Sequence, residues 1–408
     1  MGKSTSIKSS IVFLLKIKYG LKYYSKFCVL IIAQISILSC ILPSKAQLLS
    51  SNESNIKVFG EVLFGSANYG NTILKAGRSN GQTVFDNRVR INLETKLTAH
   101  DKLKIKLETG NSTSLNSNLT GTNMTRLGYD GAKNNIGLTL LQYQFPLSDR
   151  TQAIVEITGS GYSENLDNFN PVLASSSTGA ISRFGRYQPI YRLSNEGSGL
   201  TIKHQFSPKW SASASYTAPS LTAANPSNLG FFGGANAAIG QVKYEPHPDL
   251  ELGLTYARSY HPKGSGITGS TGSQSANNPF NGEPTTAQHY GINASHQIGR
   301  DVVVSGWWGW TQAQSMINGQ AHSHSTNYAV SVAANNFGGQ GNTLGFVVGV
   351  PPKSNQDRDT SLHLEAIYKI KVDDQIDITP GLLVITSPEH NRDNASVWVG
   401  AIRTSFRF

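Results

Sequence analysis

Polar and apolar residues alternate with a period of two along most of this chain. The stretch 88–97 shows it most clearly. Arg88, Arg90, Asn92, Glu94 and Lys96 fall on one face, and Val89, Ile91, Leu93, Thr95 and Leu97 on the other. After a turn at 99–102, Lys104, Lys106 and Glu108 alternate with Leu103, Ile105 and Leu107. Trp210, Ala212, Ala214 and Tyr216 interleave with hydroxyl residues, and Leu362, Leu364, Ala366, Tyr368 and Ile370 interleave with Ser361, His363, Glu365 and Lys369, a polar face broken only by Ile367. A two-residue period is the signature of a strand with two unlike faces, not of a helix. It predicts sixteen strands, at 57–66, 86–98, 103–111, 136–145, 151–159, 197–206, 210–218, 235–245, 250–260, 286–297, 301–312, 325–334, 343–350, 360–371, 375–386 and 396–408.

Short connections alternate with long ones. The short ones, such as 99–102, 207–209 and 298–301, carry the Pro, Gly, Asp and Asn that tight turns favour. The long ones are 67–85, 112–135, 160–196, 219–234, 261–285, 313–324, 351–359 and 387–395. Long strands, this asymmetry and an even count predict a 16-stranded antiparallel transmembrane β-barrel. Closure follows from the solvent, since hydrocarbon offers no partner to an open strand edge. A Lys or Arg on the lipid face costs about 2–4 kcal/mol at mid-bilayer. The charged face must therefore line the inside, which predicts a polar, wet interior. The outer-membrane lipid is then the first partner. Aromatic residues near the strand ends, Trp210, Tyr244 and Phe406 toward the turns and Tyr256, Tyr260, Trp308 and Trp310 toward the loops, fit two interfacial girdles.

Composition changes the picture in two places. The net charge is +10, but residues 1–46 hold seven Lys and no acid, which leaves 28 basic against 25 acidic residues in the remainder. The basicity thus marks a targeting segment and gives no reason to expect a nucleic-acid partner. The apolar run 27–42, Pro43 and the small residues Ser44 and Ala46 read as a signal peptide over 1–46 cleaved after Ala46, followed by a linker over 47–56 and the barrel domain over 57–408. Both cysteines, Cys28 and Cys40, lie in that leader, so the mature chain is expected to carry no thiol chemistry.

Several stretches resemble the carbohydrate-selective (OprB-type) porins, and most closely their cyanobacterial branch, described as iron-uptake porins. They are DNRVRINLETKL (86–97), SRFGRYQPIYR (182–192), LTYARSY (254–260), NNPF (277–280), SGWWGWTQAQ (305–314), VVGVPPK (347–353), the block from Asp359 to Asn391 and IRTSFRF (402–408). The resemblance implies an outer-membrane porin, passing small hydrophilic solutes by passive diffusion: carbohydrates, inorganic ions including iron, or both. It also implies export across a Gram-negative, cyanobacterial-type envelope and recognition of the terminal strand, ending at Phe408, by barrel-assembly machinery. It leaves open whether the chain forms a homo-oligomer. Relatives in that branch carry a surface-layer-homology module and a coiled coil ahead of the barrel. Here only about ten residues intervene, which reads as a short paralogue or a truncated gene.

Loop 160–196 is the longest, and the resemblance makes it the candidate for a constriction folded into the bore. Its candidates are Arg183, Arg186 and Arg192, with Glu164, Asp167 and Glu196. The strand residues Arg88, Arg90, Glu94, Lys104, Lys106 and Glu108 are candidates for the lumen lining. Trp307 points opposite to Trp308; it reads first as strand packing, with sugar stacking in the lumen as the alternative. His322 and His324 form an H-x-H pair placed in a loop, a weak metal candidate against a plain polar loop. No cofactor is expected. No carboxylate pair stands out as acid and base, so no enzyme is expected. The competing class is a secreted or surface-exposed β-rich binding protein, lectin- or adhesin-like, soluble without detergent and without channel activity.

Overall fold

The computed structural model describes residues 56–73, 82–131, 134–193, 196–317, 319 and 321–408. The expected signal peptide, and all of the linker but Ile56, lie outside the described residues. Sixteen strands form one closed barrel in which each strand is antiparallel to its sequence neighbours, and β1 closes on β16. They are β1 (Lys57–Gly70), β2 (Val84–Thr95), β3 (Lys102–Gly110), β4 (Gly137–Ser148), β5 (Thr151–Ser160), β6 (Gly197–Ser207), β7 (Trp210–Ala218), β8 (Asn236–His247), β9 (Leu250–His261), β10 (Thr285–Ile298), β11 (Val302–Ser315), β12 (His322–Asn335), β13 (Thr343–Ser354), β14 (Leu362–Lys371), β15 (Ile376–Thr386) and β16 (Val397–Arg407). The seam runs from Glu61 opposite Arg407 to Gly70 opposite Trp398. At its end Gly60 and Phe408 exchange N–H···O bonds of 2.9 and 3.1 Å. With no edge left, the strands' backbone polar groups pair without water, the condition for crossing hydrocarbon. Among the described residues no helix is long and apolar enough to span a membrane.

The outward face is apolar and exposed, with Phe64, Leu254, Ile292, Trp308, Val330, Val348 and Ile402 among its large side chains. Its aromatics gather at two heights. Trp210 stacks on Tyr244 toward the short turns, with centroids 4.2 Å apart. Tyr256, Tyr290 and Trp310 run across β9, β10 and β11 toward the long loops, with successive centroids 5.3 Å apart.

Several strand ends differ from the periodicity, among them β1, which runs to Gly70, and two of the differences move candidate residues or prolines into strands. The segment 313–324, expected as a long loop, contracts to 316–321, because β11 and β12 extend until Gln314 stands opposite His322. His322 and His324 therefore belong to a strand, not a loop. β13 continues past residue 350 through Pro351 and Pro352. It pairs with β14 only as far as Gly349, so beyond that point one side of the strand needs no donor, which is where proline is tolerated in a sheet.

The interior departs from a uniformly wet bore. The inward residues Leu63, Trp307, Ala329, Val347, Ile367, Leu383, Ile385, Val399 and Ala401 are buried. They are covered by Leu173, Ala180, Ile181 and Phe184 of the β5–β6 loop, and by Leu115, Met124, Leu127 and Tyr129 of the β3–β4 loop. Ile367, which interrupts an otherwise polar face, belongs to this packed layer. Each large side chain so buried contributes about 1.5–3 kcal/mol. Part of the bore is thus filled by its own loops.

Candidate channel constriction

The β5–β6 loop turns inward as one-turn helices at Tyr162–Asn165 and Arg183–Arg186 and a tighter turn at Pro189–Arg192. Ser182 caps the second of these, accepting from Gly185 N at 2.9 Å. Glu365 of β14 holds the same cap, accepting from Ile181 N at 2.5 Å, from Ser182 N at 3.2 Å and from the Ser182 hydroxyl. His363 Nε2 lies 3.2 Å from Ser182 Oγ. A Cβ at Gly185 would stand 2.5 Å from Glu365 Oε2, so only glycine lets the wall approach so closely.

Arg403 of β16 grips the loop a few residues earlier. It donates to the carbonyls of Ser176 at 3.0 Å, Gly179 at 2.6 Å and Ala180 at 3.3 Å. Ser405 donates to Ser177 O at 2.7 Å. Both ionic anchors are fully buried, and each faces several backbone dipoles, which offset the cost of taking a charge out of water. On the far side Gln188 lies over Gly291 and Gly309 and donates to Trp308 O at 2.8 Å.

With the loop held there, the remaining bore lies against β2 and β3. Arg88 pairs with Glu61 at 2.6 Å and donates to Ser176 Oγ at 3.0 Å. Arg90 pairs with Glu108 at 2.5 Å, and Lys106 with Glu164 of the loop at 3.6 Å. Arg126 and Asp130, both in the β3–β4 loop, form a two-pronged pair at 2.8 and 2.9 Å. The surrounding cations outweigh burial and hold the Glu164 carboxyl below its ordinary range.

The sequence candidates divide into two groups. Arg183, Arg186, Arg192, Glu164, Arg88, Arg90, Lys106 and Glu108 border one cavity of about 630 Å³. Arg183 donates to Gly269 O at 3.0 Å and approaches Asp130 to 4.0 Å. Arg186 donates to Ala174 O at 2.6 Å and Gly128 O at 2.8 Å. Arg192 is buried, donates to Tyr187 Oη at 3.1 Å and also reaches Arg183 O. Glu196 borders it as well, and the others lie apart from this cavity. Asp167 pairs with Lys243 of β8 at 3.7 Å, and Glu94 with Lys102 and Lys104 at 3.7 and 3.8 Å. Trp307 points inward but is buried edge-on against Phe184, at 5.5 Å, so it offers no open ring for a sugar. His322 and His324 are exposed on the outward face of β12. Among the described residues no group of three or more His, Cys, Asp or Glu is placed to hold a metal ion.

Sequence reasoning missed Arg126, Asp130 and Tyr187 at the cavity, and Arg403, Glu365 and Glu61 behind it. The first pair sits in a loop without period. Arg403 and Glu365 carry a visible signal, a charge on an inward strand position, but nothing local says that a loop rather than water meets it. Around the cavity seven cationic side chains face four carboxylates. The excess of cationic groups makes the local potential positive.

Comparisons with known proteins agree with this geometry. Residues 51–408 match the family model described as carbohydrate-selective porin, OprB family. The chain is 35% identical over 382 residues to protein sll0772 of Synechocystis sp., covering 86% of this chain and 67% of that one. It is 29% identical over 355 residues to protein alr4550 of Nostoc sp., covering 80% and 61%. The chain thus spans about two thirds or less of these relatives' lengths. Among solved structures, the barrel resembles Pseudomonas putida OprB at high pH, with TM-score 0.60 and 12% identity over 87% of this chain and 94% of that one. It also resembles an anion-selective porin from Comamonas acidovorans, with TM-score 0.59 and 12% identity over 87% and 100%. At such identities these two likenesses speak for the fold. With the family model spanning the barrel and a relative above 30% identity, the chain belongs to the carbohydrate-selective, OprB family of porins.

Proposed function

We propose that this chain forms a water-filled channel through which small hydrophilic solutes diffuse passively, and that the β5–β6 loop with its arginines sets the selection. The observation that carries the reading is the cavity bordered by Arg183, Arg186, Arg192 and Arg126 on one side and by Arg88, Arg90 and Lys106 on the other. Guanidinium forks suit hydroxyl-rich and anionic solutes, since each offers several fixed donors. Carbohydrates are accordingly the first solute class. Inorganic ions come second. Iron would pass such a ring as an anionic complex, because like charge repels the free cation. The leader over 1–46 would export the chain, and the strand ending at Phe408 would engage the assembly machinery of a cyanobacterial-type outer membrane.

Bilayer recordings of Arg183→Ala and Arg186→Ala test the constriction. We expect a lower anion-to-cation permeability ratio in both, by about two- to fivefold for one unit charge removed. Arg183→Ala is the cleaner variant, because Arg186 also ties the loop to the Ala174 and Gly128 carbonyls. Unchanged conductance and ion preference in both would overturn the assignment. Liposome swelling in neutral hexoses, set against ion permeability, separates sugar from ion transport, and no swelling would remove the carbohydrate reading.

A further inference from the structure

Tyr187 stands at the cavity in an arrangement that neither diffusion nor loop packing requires. Two guanidinium groups lie over its ring, Arg192 at 4.2 Å and Arg186 at 5.0 Å from the centroid. Its oxygen accepts a hydrogen bond from Arg192 Nη1 at 3.1 Å. From this geometry we propose that Tyr187 is a titratable selectivity residue: its phenolic proton passes to the channel water, leaving a phenolate beside Arg186 and Arg192 that lowers the pore's anion preference. The proposal deepens the arginine-constriction reading and rests on it. The step is a simple ionisation, in which the O–H bond breaks, the electron pair stays on oxygen and water takes the proton.

The environment of the ring favours the charged form from most sides. Its own loop supplies Arg186, Arg192 and Ser163, with Arg183 and Glu164 nearby, and the β3–β4 loop adds Arg126 and Asp130 around the same cavity. The wall strands β8 and β9 contribute apolar Ala237, Ile239 and Ala257 to its packing cluster. Burial alone would raise the phenol, but Arg192, Arg186, the Ser163 hydrogen bond and Arg183 outweigh it and bring it down to about 8. Tyr162 and Tyr191 pack in the same cluster, and burial pushes both up. The coupling is mutual: burial pushes Arg192 down, and the charge on Tyr187 is the foremost interaction that holds it up.

The test compares the full-length channel with Tyr187→Phe, which keeps the ring and its packing, in bilayers from pH 6.5 to 9.5. His261→Gln serves as a control, because His261 borders the same cavity and imidazole ordinarily titrates near neutrality. Heat-modifiable gel mobility checks that each variant folds. We expect the wild-type anion-to-cation ratio to fall about three- to fivefold between pH 7 and 9, and to stay level in Tyr187→Phe. Equal falls in both channels, or a fall abolished by His261→Gln alone, would overturn the proposal. A separate titration of tyrosinate absorbance keeps this claim apart from the constriction reading. A component near pH 8 in wild type that is absent from Tyr187→Phe establishes the ionisation even if the pore shows no anion preference, an outcome that would remove the constriction reading and the selectivity role together. Absence of that component in wild type would overturn the ionisation itself.

Discussion

The inner faces of β2 and β3 and the inner faces of β12 to β16 follow the same two-residue alternation, yet they meet opposite surroundings. On β2 and β3 the inward side chains are Arg88, Arg90, Lys104, Lys106 and Glu108, paired with one another or with nearby carboxylates, several of them at the channel water. On β12 to β16 most inward side chains are small or apolar, and the folded-in loops cover them. Glu365 and Arg403 are ionic residues on that covered wall, and backbone groups of the β5–β6 loop bind them, while Lys369, Asp377 and Arg407 are inward nearer the short turns. An inward position therefore has two meanings in this barrel. On one wall a charge borders the open cavity. On the other it holds a loop.

The sharpest way to break the comparison is Arg403→Ala. It leaves three buried loop carbonyls without a donor, each costing about 1–3 kcal/mol, so the loop's closed state should lose ~3 kcal/mol or more. Single-channel records should then show long visits to a higher conductance, and limited proteolysis should cut within 170–190, while heat-modifiable mobility shows an intact barrel. A quiet wild-type trace from this variant would mean that the anchor does not hold the loop. Phe184→Ala attacks the apolar side of the same wall. Losing a buried Phe between Trp307 and His363 should cost about 3 kcal/mol, read as increased current noise with little change in ion preference. The smallest effect belongs to the open wall. Arg90→Gln, at the cavity, should lower the anion-to-cation ratio about two- to threefold, whereas Lys104→Gln, outside it, should change the ratio by less than half that. Equal shifts in the two variants would show that the whole wall, not the constriction, sets selection.

The strand framework was legible because one face of each strand answers to lipid, and that demand is written residue by residue. Every one of the sixteen expected strands has its counterpart, and the larger errors fall at strand ends toward the loops, at Gly70, at 313–324 and at Pro351–Pro352. There pairing with a neighbour, not periodicity, decides where a strand stops. The candidate site was legible in part. Arg183, Arg186, Arg192 and Glu164 meet Arg88, Arg90, Lys106 and Glu108 around one cavity, whereas Asp167, Glu94 and Lys104 pair elsewhere and Trp307 is buried. Arg126 and Tyr187 could not be singled out, because their near partners Asp130, Arg186 and Arg192 lie on loops without pattern, and only the fold brings the two loops to one cavity.

Alternation along the chain determined the barrel, its strand count and the side of each strand that faces hydrocarbon, since those follow from local geometry and the cost of placing charge in lipid. Tertiary structure alone decided which inward residues meet water. That outcome depends on where two long loops come to rest. Their resting place is set by Ser182 against Glu365, residues 176–180 against Arg403, and Gln188 over Gly291 and Gly309, contacts between segments separated by 100 to 230 residues of chain that no short window contains.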